Sequence, residues 1–277
     1  MSLPLLVSPA QLAEQLERDS GQIVIIDLSS AENYTAKHIP GARHMAPAGL
    51  LCGSQPIPNK RPTEVQLSEL FSSLGITPQS HVVVYDDQMG PQAGRMIWTL
   101  HAAGHTACSF LDGHLKAWED AGFATDAEVP TVQPSDYPVS LDTHNLADME
   151  YILTHLNNPA HCILDVRSPA EYRGEKIVNA AKGGHIPGAV NYNWTNALVS
   201  EQDTRLRPAE DILAELAALG VTPDKTVVTH CQTHRRSGLS YLFTKHLGFE
   251  NVRCYDGSWF EWGNHPATPI ESTPVEQ

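Results

Sequence analysis

A chain of 277 residues exceeds one average domain and suits two. With 41 % hydrophobic and 18 % charged residues, each half has enough apolar side chains for its own core. The net charge of −14 argues against general binding to nucleic acid or an anionic membrane, and no apolar run is long enough for a span.

Residues 1–19 carry neither a basic n-region nor a long apolar run, so no signal peptide is expected. Ser8-Pro9 followed by Leu12 and Leu16 predicts a capped surface helix. Short apolar runs at 23–27, 81–85 and 108–111 predict buried strands. Between the first two, Leu67, Leu70, Phe71 and Leu74 form a helical stripe. Pro130, Pro134 and Pro138 mark a linker.

The pattern then begins again. Strands are predicted at 162–166, 226–229 and 252–255, with a helical stripe at Ile212, Leu213, Leu216 and Leu219. His38-Ile39-Pro40-Gly41-Ala42 recurs letter for letter at 185–189, and Leu74-Gly75-Ile76-Thr77-Pro78 recurs as Leu219-Gly220-Val221-Thr222-Pro223. Leu111-Asp112-Gly113 through Trp118 matches Tyr255-Asp256-Gly257 through Trp262. The offset grows from 138 to 147 and settles at 144 to 145, so the second copy carries an insertion at 173–184. A repeat this long means duplicated domains rather than a solenoid. Alternating strand and helix predicts α/β architecture: two tandem domains, each a parallel sheet with helices on both faces. The expected boundaries are 1–129, a linker at 130–138, and 139–277. The tail, with Pro269 and Pro274, reads as irregular.

The five cysteines, Cys52, Cys108, Cys162, Cys231 and Cys254, are odd in number, irregular in spacing and without a C-x-x-C pair. Neither a disulfide framework nor a zinc site is expected, which fits a reducing cytoplasm. The 14 histidines lack metal-ligand spacing, and no cofactor is expected. His38 and His185, in the HIPGA turns, read as structural hydrogen-bonding residues. Trp118, Trp259 and Trp262 read as core.

One loop departs from this plain pattern. After Thr226-Val227-Val228-Thr229 and His230 come Cys231-Gln232-Thr233-His234-Arg235-Arg236, then Ser237-Gly238 and an apolar helix-like run. In open α/β sheets ligands sit beyond the carboxyl ends of strands. Such a loop can curl its N–H groups around the sulfur, and the following helix adds its positive end. Together with two arginines this favours thiolate, which makes Cys231 the candidate nucleophile. The other four cysteines, in or near apolar runs, read as inert.

HCQTHRRSG between an apolar strand and a helix resembles the active-site loop of rhodanese-family sulfurtransferases, supported by the doubled HIPGA, Asp165-Val166-Arg167 and Asp256-Gly257-Ser258-Trp259-Phe260-Glu261-Trp262. The resemblance is to the tandem-domain thiosulfate:cyanide type and covers nearly the whole chain. It implies a two-step reaction, in which thiosulfate gives its outer sulfur to Cys231 and cyanide or a thiol acceptor removes it. Arg236, Arg235, His234, Thr233 and Gln232 are then the expected substrate contacts, through charge, hydrogen bonds or loop N–H groups. The resemblance adds Arg173 as a second anion-binding arginine. Arg167 instead reads as a structural ion-pair partner of its acidic neighbours, and Trp194 as packing or a pocket wall.

In the first half the position of Cys231 is taken by Asp86, beside Asp87. An acidic pair repels thiosulfate and forms no persulfide, so this domain is expected to keep the fold without the chemistry. A duplicated chain completes its cleft as a monomer. Three alternatives stand beside the thiosulfate reading. A 3-mercaptopyruvate sulfurtransferase is disfavoured by the bulky, basic residues 232–236. A persulfide carrier serving a partner protein needs the same loop. A phosphatase loop places its arginine sixth after the cysteine, where this chain has Ser237.

Overall fold

The computed structural model describes residues 3–18 and 21–272. The ends of the opening segment and Pro274 of the tail lie outside the described residues. The first half runs β1 (Leu6–Val7), α1 (Pro9–Arg18), β2 (Ile23–Asp27), α2 (Ala31–Ala36), β3 (Arg43–His44), α3 (Glu64–Ser73), β4 (His81–Tyr85), α4 (Pro91–Ala102), β5 (Cys108–Leu111) and α5 (His114–Asp120). The second runs β6 (Leu146–Ala147), α6 (Met149–His155), β7 (His161–Asp165), α7 (Pro169–Arg173), β8 (Val190–Asn191), α8 (Ala209–Ala218), β9 (Thr226–His230), α9 (Arg236–His246), β10 (Val252–Tyr255) and α10 (Ser258–Trp262). No described helix is long and apolar enough to cross a membrane.

Each half builds one five-stranded parallel sheet, in the orders β1-β5-β4-β2-β3 and β6-β10-β9-β7-β8. The central strands are continuous apolar runs because helices cover both faces. Val82 and Val84 point into one cluster, Val83 and Tyr85 into another. The helix stripes fall on α3 and α8, whose Leu67, Phe71, Ile212 and Leu216 are buried. The β7 strand starts and ends one residue earlier than the sequence predicts, since the Val166 N–H turns to the His230 carbonyl.

The HIPGA histidines are structural. His38 and His185 lie on the carbonyls of Tyr34 and Tyr172, at 2.7 and 2.8 Å, and stack on the same two tyrosine rings. Trp118, Trp259 and Trp262 are buried. The proline-marked segment 130–138 lies against the first half: Tyr137 packs edge-on against Phe71, and the Ser135 N–H reaches the Ser72 carbonyl at 3.0 Å.

The halves meet through α4 and α9. An added Cβ on Gly94 would lie 2.4 Å from the Leu239 nitrogen, so the glycines allow backbone to touch backbone. Two reciprocal contacts flank this crossing. The Arg61 N–H donates to Asp256, and the Leu206 N–H donates to Asp112. A loop of each half therefore covers the strand ends of the other.

Candidate active site

Cys231 follows β9 and stands five residues before the first residue of α9, at 1 % exposure. Neighbouring segments fix the loop backbone. The Cys231 and Gln232 carbonyls accept the Trp259 and Phe260 N–H groups at 2.9 Å. The Cys231 N–H reaches Ser258 Oγ, on a residue held at φ 52°. His234, at φ 53°, reverses the chain in the left-handed region. With carbonyls drawn outward, the loop N–H groups are left for an anion.

The cysteine environment favours thiolate. Burial pushes the thiol up, but the Arg236 charge, the Ser237 hydroxyl and N–H, and the Thr233 N–H together hold it below its ordinary value. The Ser237 hydroxyl donates to Cys231 Sγ at 3.4 Å, and so its oxygen accepts from His234 Nδ1 at 2.7 Å. This assigns the His234 proton to Nδ1. Burial first, then Arg95, keeps the imidazole well below its ordinary pKa and therefore neutral. His234 is fully buried and stands edge-to-face with Trp98. It orients Ser237.

Arg236 is partly exposed and forks onto both oxygens of Glu171 at 2.8 and 2.9 Å. Burial opposes ionisation of Glu171, but hydrogen bonds and charge from Arg236, with Ser168, bring its pKa down to about 2. Glu171 also caps α7 through Ser168. Arg236 is thus a cation held in place beside the sulfur. Arg235 is exposed. Gln232 donates to the Val178 carbonyl, tying the loop to the insertion at 173–184. Arg173 forks onto its neighbour Glu175, both partly exposed, and is held there rather than on the cysteine loop. Arg167 pairs with buried Asp165 and lies over the Trp259 ring, as its structural reading anticipated. Trp194 packs against the core cluster that contains Cys231.

Ser237, Glu171 and Ser258 were not predicted. Only Ser237 had a local signal, a hydroxyl in the first turn of the helix after the cysteine. Glu171 and Ser258 reach the loop from elements 60 and 27 residues away and depend on tertiary packing.

The matching loop of the first half shows what such a backbone holds. Asp86 stands where Cys231 does, and its carboxylate accepts N–H bonds from Gln88, Gly90, Gln92 and Ala93 at 2.8 to 2.9 Å. This cradle at the start of α4 is filled by the chain's own anion. An open cavity of about 400 Å³ borders it, lined by Asp86, Asp87, Met89 and His114 from this half and Gln202 and Thr204 from the other.

The family description "Rhodanese-like domain" matches residues 8–121 and 148–265. A thiosulfate sulfurtransferase of Azotobacter vinelandii is 47 % identical over 272 residues, covering 98 % of both chains. One of Pseudomonas aeruginosa is 44 % identical, covering 97 % of both. The sulfur carrier protein TtuD of Thermus thermophilus is 32 % identical over 96 % of each chain. Among solved structures, an EanB variant in complex with ergothioneine superposes at TM-score 0.88 and 25 % identity, covering 98 % of this chain and 71 % of that one. With both halves matched in tandem, the chain belongs to the family of rhodanese-like domains.

Proposed function

We propose that this protein is a thiosulfate sulfurtransferase, working through a persulfide on Cys231. The observation that carries this is a buried cysteine held below its ordinary pKa, one loop away from a fixed arginine, in a chain 44 to 47 % identical to thiosulfate sulfurtransferases. The Cys231 thiolate attacks the outer sulfur of thiosulfate. The S–S bond breaks, and sulfite leaves with the electron pair. The persulfide keeps one negative charge, which loop N–H groups stabilise. Cyanide or a thiolate then attacks the outer sulfur and regenerates the thiolate. No net proton transfer is needed in either step when both nucleophiles are anions.

The residues divide the work. Arg236 attracts the sulfonate end, with Arg235 adding exposed charge at the mouth. Thr233 and Gln232 contribute backbone N–H groups. The first domain, 1–129, braces the second and has no nucleophile at Asp86; 130–138 joins them, and 139–277 carries the chemistry. The protein works as a cytoplasmic monomer.

Incubation with thiosulfate, followed by intact-mass measurement, tests this reading. The expected result is a gain of one sulfur that cyanide removes and that Cys231→Ser prevents. Hydrolysis of aryl phosphates without such loading would overturn it. A second reading, sulfur delivery to a partner protein, is favoured by the likeness to a sulfur carrier. It predicts faster unloading by a protein thiol than by cyanide.

A further inference from the structure

Arg95 is a cation of the first domain with no exposed surface. Every hydrogen bond of its guanidinium goes to a backbone carbonyl, and none to a carboxylate. Nε and Nη2 reach the Leu50 carbonyl at 3.1 and 2.8 Å, and Nη2 also reaches Asn59 at 2.8 Å. Nη1 crosses into the second domain, to the carbonyls of His234 at 2.8 Å and Thr233 at 3.4 Å. Burial brings its pKa down to about 10, which leaves it charged at neutral pH. Cys231, Cys254 and Asp256 face it with negative or ionisable groups, and Arg235 with positive charge.

The two carbonyls it holds across the interface belong to the cysteine loop. In a trans peptide the N–H points opposite to the C=O. Drawing the Thr233 and His234 carbonyls toward Arg95 therefore turns the His234 and Arg235 N–H groups away from it. Neither of those two N–H groups donates to a backbone carbonyl among the described loop and turn contacts. They stay available to a sulfur or sulfonate beyond Cys231. A buried guanidinium is costly where only packing is required, and its planar fork suits several fixed carbonyls at once.

We infer that Arg95 is a positioning residue for sulfur transfer, supplied by the domain without a nucleophile. It orients the loop peptides so that their N–H groups face the sulfur. This rests on the sulfurtransferase reading and gives the first domain a defined part in it.

The test compares Arg95→Met and Arg95→Lys with a control, Leu12→Ala, which opens a cavity in the core of the first domain. The pH midpoint of Cys231 alkylation by iodoacetamide is measured beside thermal unfolding, kcat and KM for thiosulfate. Arg95→Met is expected to raise the midpoint by about one pH unit and lower kcat/KM about tenfold or more. Arg95→Lys, which keeps charge but not the fork, should shift both in the same direction by less. Leu12→Ala should lose thermal stability and keep the wild-type midpoint. If Arg95→Met does not fold, Arg95→Lys alone decides. Wild-type midpoint and kcat in the folded variants overturn the inference, as does an equal midpoint shift in the control. Alkylation needs no thiosulfate, so failure of the wild-type protein to load sulfur would refute the sulfurtransferase reading separately.

Discussion

Gly94 of α4 and Gly238 of α9 press together so closely that a Cβ on Gly238 would stand 2.5 Å from the Arg95 nitrogen and 2.7 Å from its Cα. The obstacle is backbone, which cannot rotate aside. Because α9 starts at Arg236, any displacement of this crossing moves the cysteine loop. Gly238→Ala should cost about 3 kcal/mol and reduce sulfur transfer in the protein that remains folded. Gly49→Ala, whose Cβ would meet Leu70 at an ordinary 3.5 Å, is the comparison. Urea unfolding and thiosulfate turnover check the pair.

The cysteine environment sets a pH dependence. Since the folded thiol lies below its ordinary value, the thiolate forms at lower pH than in a free cysteine and is lost as pH falls through the lowered pKa. The pH midpoint of Cys231 alkylation should therefore lie below that of a free thiol, near pH 8.5. A midpoint at or above that value would show an ordinary thiol.

Two arginines should separate. Arg236→Ala removes a cation beside the sulfur and should lower kcat/KM for thiosulfate by about 1–2 kcal/mol, or roughly tenfold. Arg173→Ala breaks only a partly exposed pair with Glu175 and should leave kcat/KM within about twofold. Equal losses would mean that Arg173 leaves Glu175 when donor arrives.

Glu171 links the site to acid stability. Its folded pKa, about 2, lies below the ordinary carboxylate range. Its stabilisation is full above that range and is lost as pH falls from about 4.5 toward 2. Glu171→Gln should destabilise the protein by roughly 2 kcal/mol at pH 7 and flatten the acid limb of the stability curve. Urea midpoints across that range measure both.

Asp86 offers the complementary test. Asp86→Ala strips the anion from four N–H donors and should cost about 2–4 kcal/mol. Sulfur loading, measured by mass, should remain one per chain, because the carrying sulfur is Cys231. A variant of wild-type stability would show that the first cradle has no structural need of its anion.

The duplication, the strand runs, the HIPGA turns and the strand–cysteine–helix order are all local in sequence, and they determined the architecture and the candidate nucleophile. Repeated letters fix equivalent positions in two domains, and apolar runs in parallel strands must be covered on both sides. The partners of the loop were decided by tertiary structure. Arg95, Glu171 and Ser258 come from separate elements, and no local spacing says which side chains a packed interface will bring to one sulfur. His234 shows the same limit from within the motif. A histidine three residues after the cysteine is a plausible substrate contact by type, yet its left-handed backbone turns the ring inward against Trp98 and Ser237. Residue type is written in the sequence, whereas direction depends on backbone dihedrals and on what the other domain presses against them.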